Sequence, residues 1–180
     1  MSEATTQPAL RARWLGRVTY ADALALQTAL WAGDEQYLLL CEHTPVYTMG
    51  VRTAPANILV DDLAARGADV HRVSRGGDVT WHGPGQVVGY PVVTAPTRRG
   101  GGMADTVAYV RSVEQLLIDT LGDLGLEAGR RAEYPGVWLG DDATGLRKVA
   151  AIGVRLRRGG AMHGFALNVE PDLSWVEAIV

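Results

Sequence analysis

Apolar residues alternate every second position in several short stretches and recur every third or fourth in two longer ones. The first period predicts strands over residues 11–18, 36–42, 70–73, 78–81, 86–94, 136–139, 148–157 and 162–169. The second predicts helices over residues 20–32 and 104–124. In the first helix Leu24, Leu26, Leu30 and Trp31 are core candidates. In the second, Val107, Val110, Leu117, Leu121 and Leu124 share a face, and Gly125 ends it. Residues 61–66 read as a brief helix stopped by Gly67, and residues 44–50, punctuated by Pro45 and Gly50, as a loop. A Gly-Pro-Gly turn at Gly83–Gly85 separates two of the strands. Residues 1–9 read as a loose N-terminus and residues 96–102 as a Pro-, Arg- and Gly-rich loop. Strands interrupted by two substantial helices, with no repeat or linker, predict an α+β fold: one mixed-sheet domain with helices packed on the sheet.

Length and composition narrow this picture. A chain of 180 residues, 47% hydrophobic and 21% charged, builds one domain with a sizeable core. No apolar run approaches membrane-spanning length, and no secretory signal opens the chain, so a cytoplasmic setting is expected. The net charge of −3 argues against nucleic acid as a partner. The single cysteine, Cys41, excludes an internal disulfide, and its leucine-rich strand makes it core filler. His43, His71, His82 and His163 form no close ligand pair in sequence, so no metal site is expected.

Of the 17 basic residues only Lys148 is lysine; the others are arginine. A lysine retained in such a background is a candidate for chemistry that arginine cannot do, because lysine can lose its proton in an apolar setting. Period-2 alternation places Lys148 in a row with Ala150, Ile152, Val154 and Leu156, where burial would favour the neutral amine. The alternative is a strand-end lysine reaching back to water. Segment RGGDVTWHGPGQ (75–86) holds more glycine than a hairpin requires. It reads either as a backbone cradle for a ligand or as a strand pair joined by an awkward turn. It matches neither phosphate-binding glycine motif.

Gly159-Gly160 signals a tight hairpin between the last two strands. A two-residue turn there pairs Gly153 with Ala166 and Arg155 with Gly164, and puts His163, Phe165, Leu167 and Val169 on one face. The small residues leave a groove fit for an extended acyl chain. In that register Lys148 lies about eight residues from His163, roughly 26 Å, too far to share one small group without a bulge. Arg147, Lys148, Arg155, Arg157 and Arg158, with Arg98 and Arg99 on the preceding loop, suggest a local basic patch that steers an acidic partner.

RGGDVTWHGPGQVVGYPVV (75–93), KVAAIGVRL (148–156) and HGFALNV (163–169), together with EHTPVYTMG (42–50), resemble lipoyl(octanoyl) transferase, the lipoate-protein ligase B family. The resemblance spans about residues 36–170 and implies a domain fold shared with biotin and lipoate ligases. It implies transfer of an octanoyl group from octanoyl-acyl carrier protein to a lysine of lipoyl domains, those of 2-oxoacid dehydrogenases and the glycine cleavage H protein. The implied chemistry is ping-pong through a cysteine thioester, without cofactor or metal. Carried over residue by residue, Lys148 is the catalytic lysine that activates the cysteine. The acyl site is lined by Arg75, Gly76, Gly77, Asp78, Val79, Thr80, Trp81 and His82, by Ala151, Ile152 and Gly153, and by His163, Gly164 and Phe165.

The chain departs from that pattern in one respect. The family cysteine belongs just past Val180, so the expectation is a single catalytic-type acyltransferase domain over residues 1–180, cut short at its C-terminus and inactive without its nucleophile. The alternatives are an ATP-dependent lipoate or biotin ligase, which needs no cysteine, and a non-catalytic acyl-carrier-binding module.

Overall fold

Short β-prone runs separated by Gly, Pro and Asp leave few ways to bury their apolar faces except in stacked sheets flanked by the two helices. The computed structural model describes residues 9–95, 104–157 and 159–180. In chain order they form β1 (Leu10–Val18), α1 (Tyr20–Trp31), β2 (Gln36–His43), β3 (Val46–Met49), β4 (Asp69–Arg72), β5 (Val79–His82) and β6 (Gln86–Val92). Then follow α2 (Thr106–Asp123), β7 (Ala128–Gly129), β8 (Val137–Leu139), β9 (Arg147–Arg157) and β10 (Gly160–Asn168). Single 3₁₀ turns occupy Pro55–Asn57, Ala64–Arg66 and Leu173–Ala178. Arg98, Arg99 and Arg158 lie outside the described residues, as do the loop 96–102 and most of the expected loose N-terminus.

Seven strands form one mixed sheet in the order β1-β2-β6-β10-β9-β8-β7, and three form a second in the order β4-β3-β5. Only β1–β2 and β3–β4 are parallel. This is the α+β architecture expected. Helix α1 starts at Thr19, whose hydroxyl accepts from the Asp22 amide at 3.1 Å, and α2 at Asp105, whose carboxylate accepts from Ala108. Such caps each contribute about 1 kcal/mol.

The two helices cover opposite faces of the large sheet. Alternation on β2 makes this visible: Leu39 and Cys41 pack with Ala23 of α1, whereas Leu38 and Leu40 pack with the α2 cluster. Both buried faces differ from the sequence expectation. On α1 the fully buried positions are Tyr20, Ala23 and Gln27, with Leu24, Leu26, Leu30 and Trp31 only partly covered. On α2 they are Tyr109, Val113, Glu114, Leu117 and Leu121, while Val107 and Leu124 are exposed. The cause is Glu114. Its carboxylate is fully buried, paired with Arg111 at 2.7 Å and Arg130 at 3.0 Å, and accepts the Gly136 amide at 3.1 Å. That set of bonds fixes the rotation of α2 and overrides the apolar count.

Two loop readings are corrected as well. Residues 46–49 are a strand, β3, with all four residues buried at the centre of the small sheet. The strands on either side of Gly83–Gly85 do not pair with each other. β5 joins the small sheet and β6 the large one, so the turn is a crossing between sheets.

Candidate active site

That crossing opens a cavity of about 590 Å³ between the sheets, walled by β5, β6, β9 and β10 and by the loops leading into them. Its lining includes Arg75, Gly77, Asp78, Val79, Thr80, His82, Lys148, Ala151, Ile152, Gly153, His163, Gly164 and Phe165. The three motifs singled out above supply most of the wall. Two expected members are elsewhere. Trp81 points into the small sheet's core, where its ring stacks on Trp175 at 5.7 Å. Gly76 is outside the wall, because its amide is committed to the Val154 carbonyl at 2.9 Å and ties the loop to β9.

The groove floor follows from register. β9 and β10 pair Gly153 with Gly164 and Ala151 with Ala166. The pairing is two residues from the one expected, because Gly160 is itself paired, with Arg157, rather than part of the turn. A shift of two preserves each residue's face. The small-residue groove therefore survives the error. Its tightness is visible at Gly164, where a Cβ would stand 2.0 Å from the Gly89 carbonyl oxygen.

Lys148 and His163 reach this groove through two local irregularities. On β9 the residues Ala150, Val154 and Leu156 face α2, and Ala151 and Gly153 face the cavity. Strict alternation, which groups Lys148 with Ala150, Val154 and Leu156, would send it toward α2. Instead Val137 pairs with Ala150 while Trp138 pairs with Lys148, so Val149 is an extra residue in β9. A β-bulge of this kind re-aims the next side chain, and here it turns Lys148 to the cavity side. His163 has φ of +59°, the only positive φ among the described non-glycine residues. Its backbone amide donates to Gln27 Oε1 at 2.9 Å and its Nδ1 lies 3.4 Å from the Tyr20 hydroxyl. A left-handed residue inside a strand costs on the order of 1–3 kcal/mol and persists only where its surroundings hold it. The result is that His163 faces the cavity, while Leu167 packs toward α2 and Phe165 borders both the α2 cluster and the cavity.

The Lys148 amine sits 5.4 Å above the Trp138 ring, and its stem crosses Gly136, where a Cβ would come within 2.7 Å of Lys148 Cε. Gly136, at φ +129°, is thus required twice over. Desolvation draws the amine below its ordinary pKa, although the residue as a whole keeps an exposed surface at the cavity mouth. Lys148 begins at a water-facing strand end and points into a half-covered site.

The opposite end is polar. Arg75 is buried and donates to the Thr48 carbonyl and hydroxyl at 2.6 and 2.8 Å and to the Gly76 carbonyl at 3.1 Å, all neutral oxygens. All four histidines gather near it around Tyr20. His43 and His71 lie 5.6 and 5.3 Å from the Tyr20 ring, and His82 lies 6.0 Å from His43. Burial pushes His82 down to about 3 and His163 to about 4, so both are neutral at pH 7. Among the described residues no group of three His, Cys, Asp or Glu side chains is placed to hold a metal. Cys41 is wholly buried, its thiol pushed up to about 12 by desolvation, with Sγ 3.6 Å from His43 Nε2. It is core, as expected, although the structure gives it a histidine neighbour.

A family model, the lipoyl protein ligase A/B catalytic domain, matches residues 19–180. The chain belongs to the lipoyl protein ligase A/B family. Its relatives include octanoyltransferases of Solibacter usitatus, 48% identical over 93% of this chain and 76% of that one, and of Salinispora tropica, 45% identical over 98% and 81%. Among solved structures, a bipartite lipoate protein ligase of Thermoplasma acidophilum superposes with a TM-score of 0.75 at 20% identity, covering 96% of this chain and 66% of that one. A lipoate-protein ligase A bound with ATP superposes at 0.71 and 19%, covering 96% and 71%. These two establish the shared fold.

Within this lipoyl protein ligase A/B domain, several lining residues escaped the sequence reading: Tyr20, Val88, Tyr90 and Tyr134. Tyr20 and Tyr90 look like ordinary core aromatics in sequence. Only the fold brings Tyr90 to His43 Nε2, at 2.7 Å. Val180 also lines the cavity, held by its amide to the Asn57 carbonyl at 3.0 Å. Among the described residues no helix is long and apolar enough to cross a membrane.

Proposed function

We propose that this chain is an octanoyltransferase of lipoate biosynthesis, moving an octanoyl group from octanoyl-acyl carrier protein to a lysine of a lipoyl domain. Octanoyltransferase relatives at 45–48% identity support the reaction class. The observation that carries the reading is the cavity itself. A groove floored by Gly153, Gly164, Ala151 and Ala166 suits an extended acyl chain, and Lys148 stands at its mouth, where the acyl carbonyl would lie.

The family resemblance implies a nucleophilic cysteine, which on this reading would follow Val180. A residue bonded to Val180 has its Cα about 3.8 Å further on, so it starts from the cavity wall. Lys148, partly desolvated, accepts the thiol proton. The thiolate then attacks the donor thioester carbonyl, and collapse of the tetrahedral intermediate expels the carrier's thiolate, which takes the proton from Lys148. In the second half the recipient lysine amine attacks the acyl-enzyme, its proton passing to Lys148 and on to the departing cysteine sulfur. Cys41 is no substitute, because a thiol held near 12 carries almost no thiolate at neutral pH.

Site residues follow from the same reading: Lys148 is catalytic, and Arg75, Gly77, Asp78, Val79, Thr80, His82, Ala151, Ile152, Gly153, His163, Gly164 and Phe165 bind substrate. Recipients include the lipoyl domains of 2-oxoacid dehydrogenases and the glycine cleavage H protein, in the cytoplasm. The domain is one catalytic acyltransferase unit. The ATP-dependent ligase reading rests on the lipoyl protein ligase A/B family model and on solved ligases at 14–20% identity, whereas the relatives at 45–48% identity are octanoyltransferases. The experiment is acyl transfer in the absence of ATP: octanoyl-acyl carrier protein and apo-lipoyl domain are mixed with the enzyme carrying its cysteine after Val180. Mass analysis is expected to find octanoylated recipient lysine. Modification only with ATP and free acid, with pyrophosphate released, would establish the ligase instead. No transfer on either route, with carrier protein still bound, would leave a binding module.

A further inference from the structure

A line of amide groups runs beneath the cavity and joins its two ends. His82 Nδ1 lies 2.7 Å from Gln86 Oε1, Gln86 Nε2 donates to Asn168 Oδ1 at 2.8 Å, and Asn168 Nδ2 donates to the Lys148 carbonyl at 3.3 Å. The polarity of this chain is set from one end. A peptide carbonyl can only accept, so Asn168 must turn its nitrogen to Lys148 and its oxygen to Gln86. Gln86 must then turn its own nitrogen to Asn168 and its oxygen to His82. An amide oxygen can only accept, so the neutral His82 ring carries its proton on Nδ1 and keeps a lone pair on Nε2.

The same bonds act on the other end. Lys148 immediately precedes Val149, the extra residue that turns its side chain into the cavity. On the opposite edge of β9 the pairing with β10 stops at Ala150 and Leu167, and there Asn168, the next residue of β10, supplies the bond that holds the Lys148 carbonyl. Gln86 is buried and Asn168 half-buried, so water competes weakly for the first two contacts, whereas the bond to the Lys148 carbonyl is exposed.

We propose that Gln86 and Asn168 are positioning residues for Lys148, clamping its main chain at the bulge and, through the same three bonds, fixing His82 with its proton on Nδ1. The inference deepens the reading of Lys148 as the proton acceptor of acyl transfer and rests on it. Its test reads Lys148 and His82 directly and needs no turnover, so failure of octanoyl transfer and failure of the clamp are separate results.

The unique lysine makes the measurement clean. Reductive methylation with ¹³C-formaldehyde labels only Lys148 and the N-terminal amine, and the two are followed by NMR across pH. ¹⁵N-histidine labelling reports the His82 tautomer in the same protein. The other ionisable groups that share the cavity wall with Lys148 include Arg52, Arg75, Asp78, Glu133 and Tyr134, and Arg147 precedes it on its own strand; all are retained in every variant. The wild type is expected to have His82 protonated at Nδ1 and a Lys148 signal titrating below that of a free lysine. Asn168→Leu removes the clamp without adding charge. It is expected to move the Lys148 midpoint up toward the free value and to mix the His82 tautomers. Gln86→Leu should do the same. Asn168→Asp, which keeps the shape but not the donor, should release Lys148 as well. An Nε2-protonated His82 in the wild type overturns the proposal whether or not any variant folds. So does an unmoved Lys148 midpoint in a variant whose thermal melt remains cooperative.

Discussion

A single lysine among arginines is an unusual handle at the scale of one residue. Lys148→Arg keeps charge and bulk but cannot yield a neutral amine, so the fold should persist while acyl transfer falls by about 10²–10⁴-fold. Steady-state rates with octanoyl-acyl carrier protein, beside a thermal melt, check this; an arginine enzyme of near-normal rate would remove Lys148 from the chemistry. The histidines predict a pH dependence of stability. In the unfolded chain they titrate near 6.5, whereas in the folded protein burial holds His163 near 4 and His82 near 3. Above about pH 6.5 both states are neutral and nothing is lost. As pH falls below that, the unfolded state takes up protons first. Stability is therefore lost between about 6.5 and 4 through His163, and on to about 3 through His82. Melting temperature should fall steadily with acidification from pH 7 to 4, and His163→Asn should flatten the slope. Lys148 could be singled out from composition alone. The clustering of four histidines around Tyr20 could not, because their sequence spacing carries no ligand pattern and the fold alone assembles them.

Strand and helix positions were largely legible at the scale of the element, and side-chain directions were not. The period of two correctly separates Ala151 and Gly153 from Ala150 and Val154, and it survives a two-residue error in register. It fails at Lys148 and His163, where a bulge and a left-handed residue reverse the alternation. Neither has a strong local signal, since Val149 is an ordinary strand residue. The buried face of α2 was missed because a carboxylate, Glu114, sits at its centre, and polar residues are read as outward. β3 was missed because Pro45 and Gly50 flank only four residues. The clearest test at this scale is Gly164→Ala. Its Cβ meets backbone on the neighbouring strand, which cannot move aside as a side chain could. The substitution should cost about 1–3 kcal/mol and narrow the groove. Chemical denaturation measures the first, and a rise in KM for octanoyl carrier the second.

For the molecule as a whole, the four described basic residues between positions 147 and 157 do not form one patch. Arg147 and Arg157 sit at opposite ends of β9, about 33 Å apart at about 3.3 Å per residue. Arg147 flanks the cavity mouth beside Lys148, and exposed Arg157 flanks the hairpin tip. With a net charge of −3, any attraction for an acidic partner is local. Arg157→Glu should raise the apparent KM for one protein substrate and weaken its salt dependence, leaving kcat unchanged; kinetics indifferent to the change at low salt would make that end a solvated turn. The central claim is that the cavity between the sheets hands an octanoyl group to a lipoyl domain without ATP. Its most direct test is the intact mass of an apo-lipoyl domain after incubation with octanoyl-acyl carrier protein and the enzyme bearing its cysteine beyond Val180. The account predicts one octanoyl group on the recipient lysine, absent in Lys148→Arg. A recipient that stays unmodified until ATP and free acid are added would contradict it.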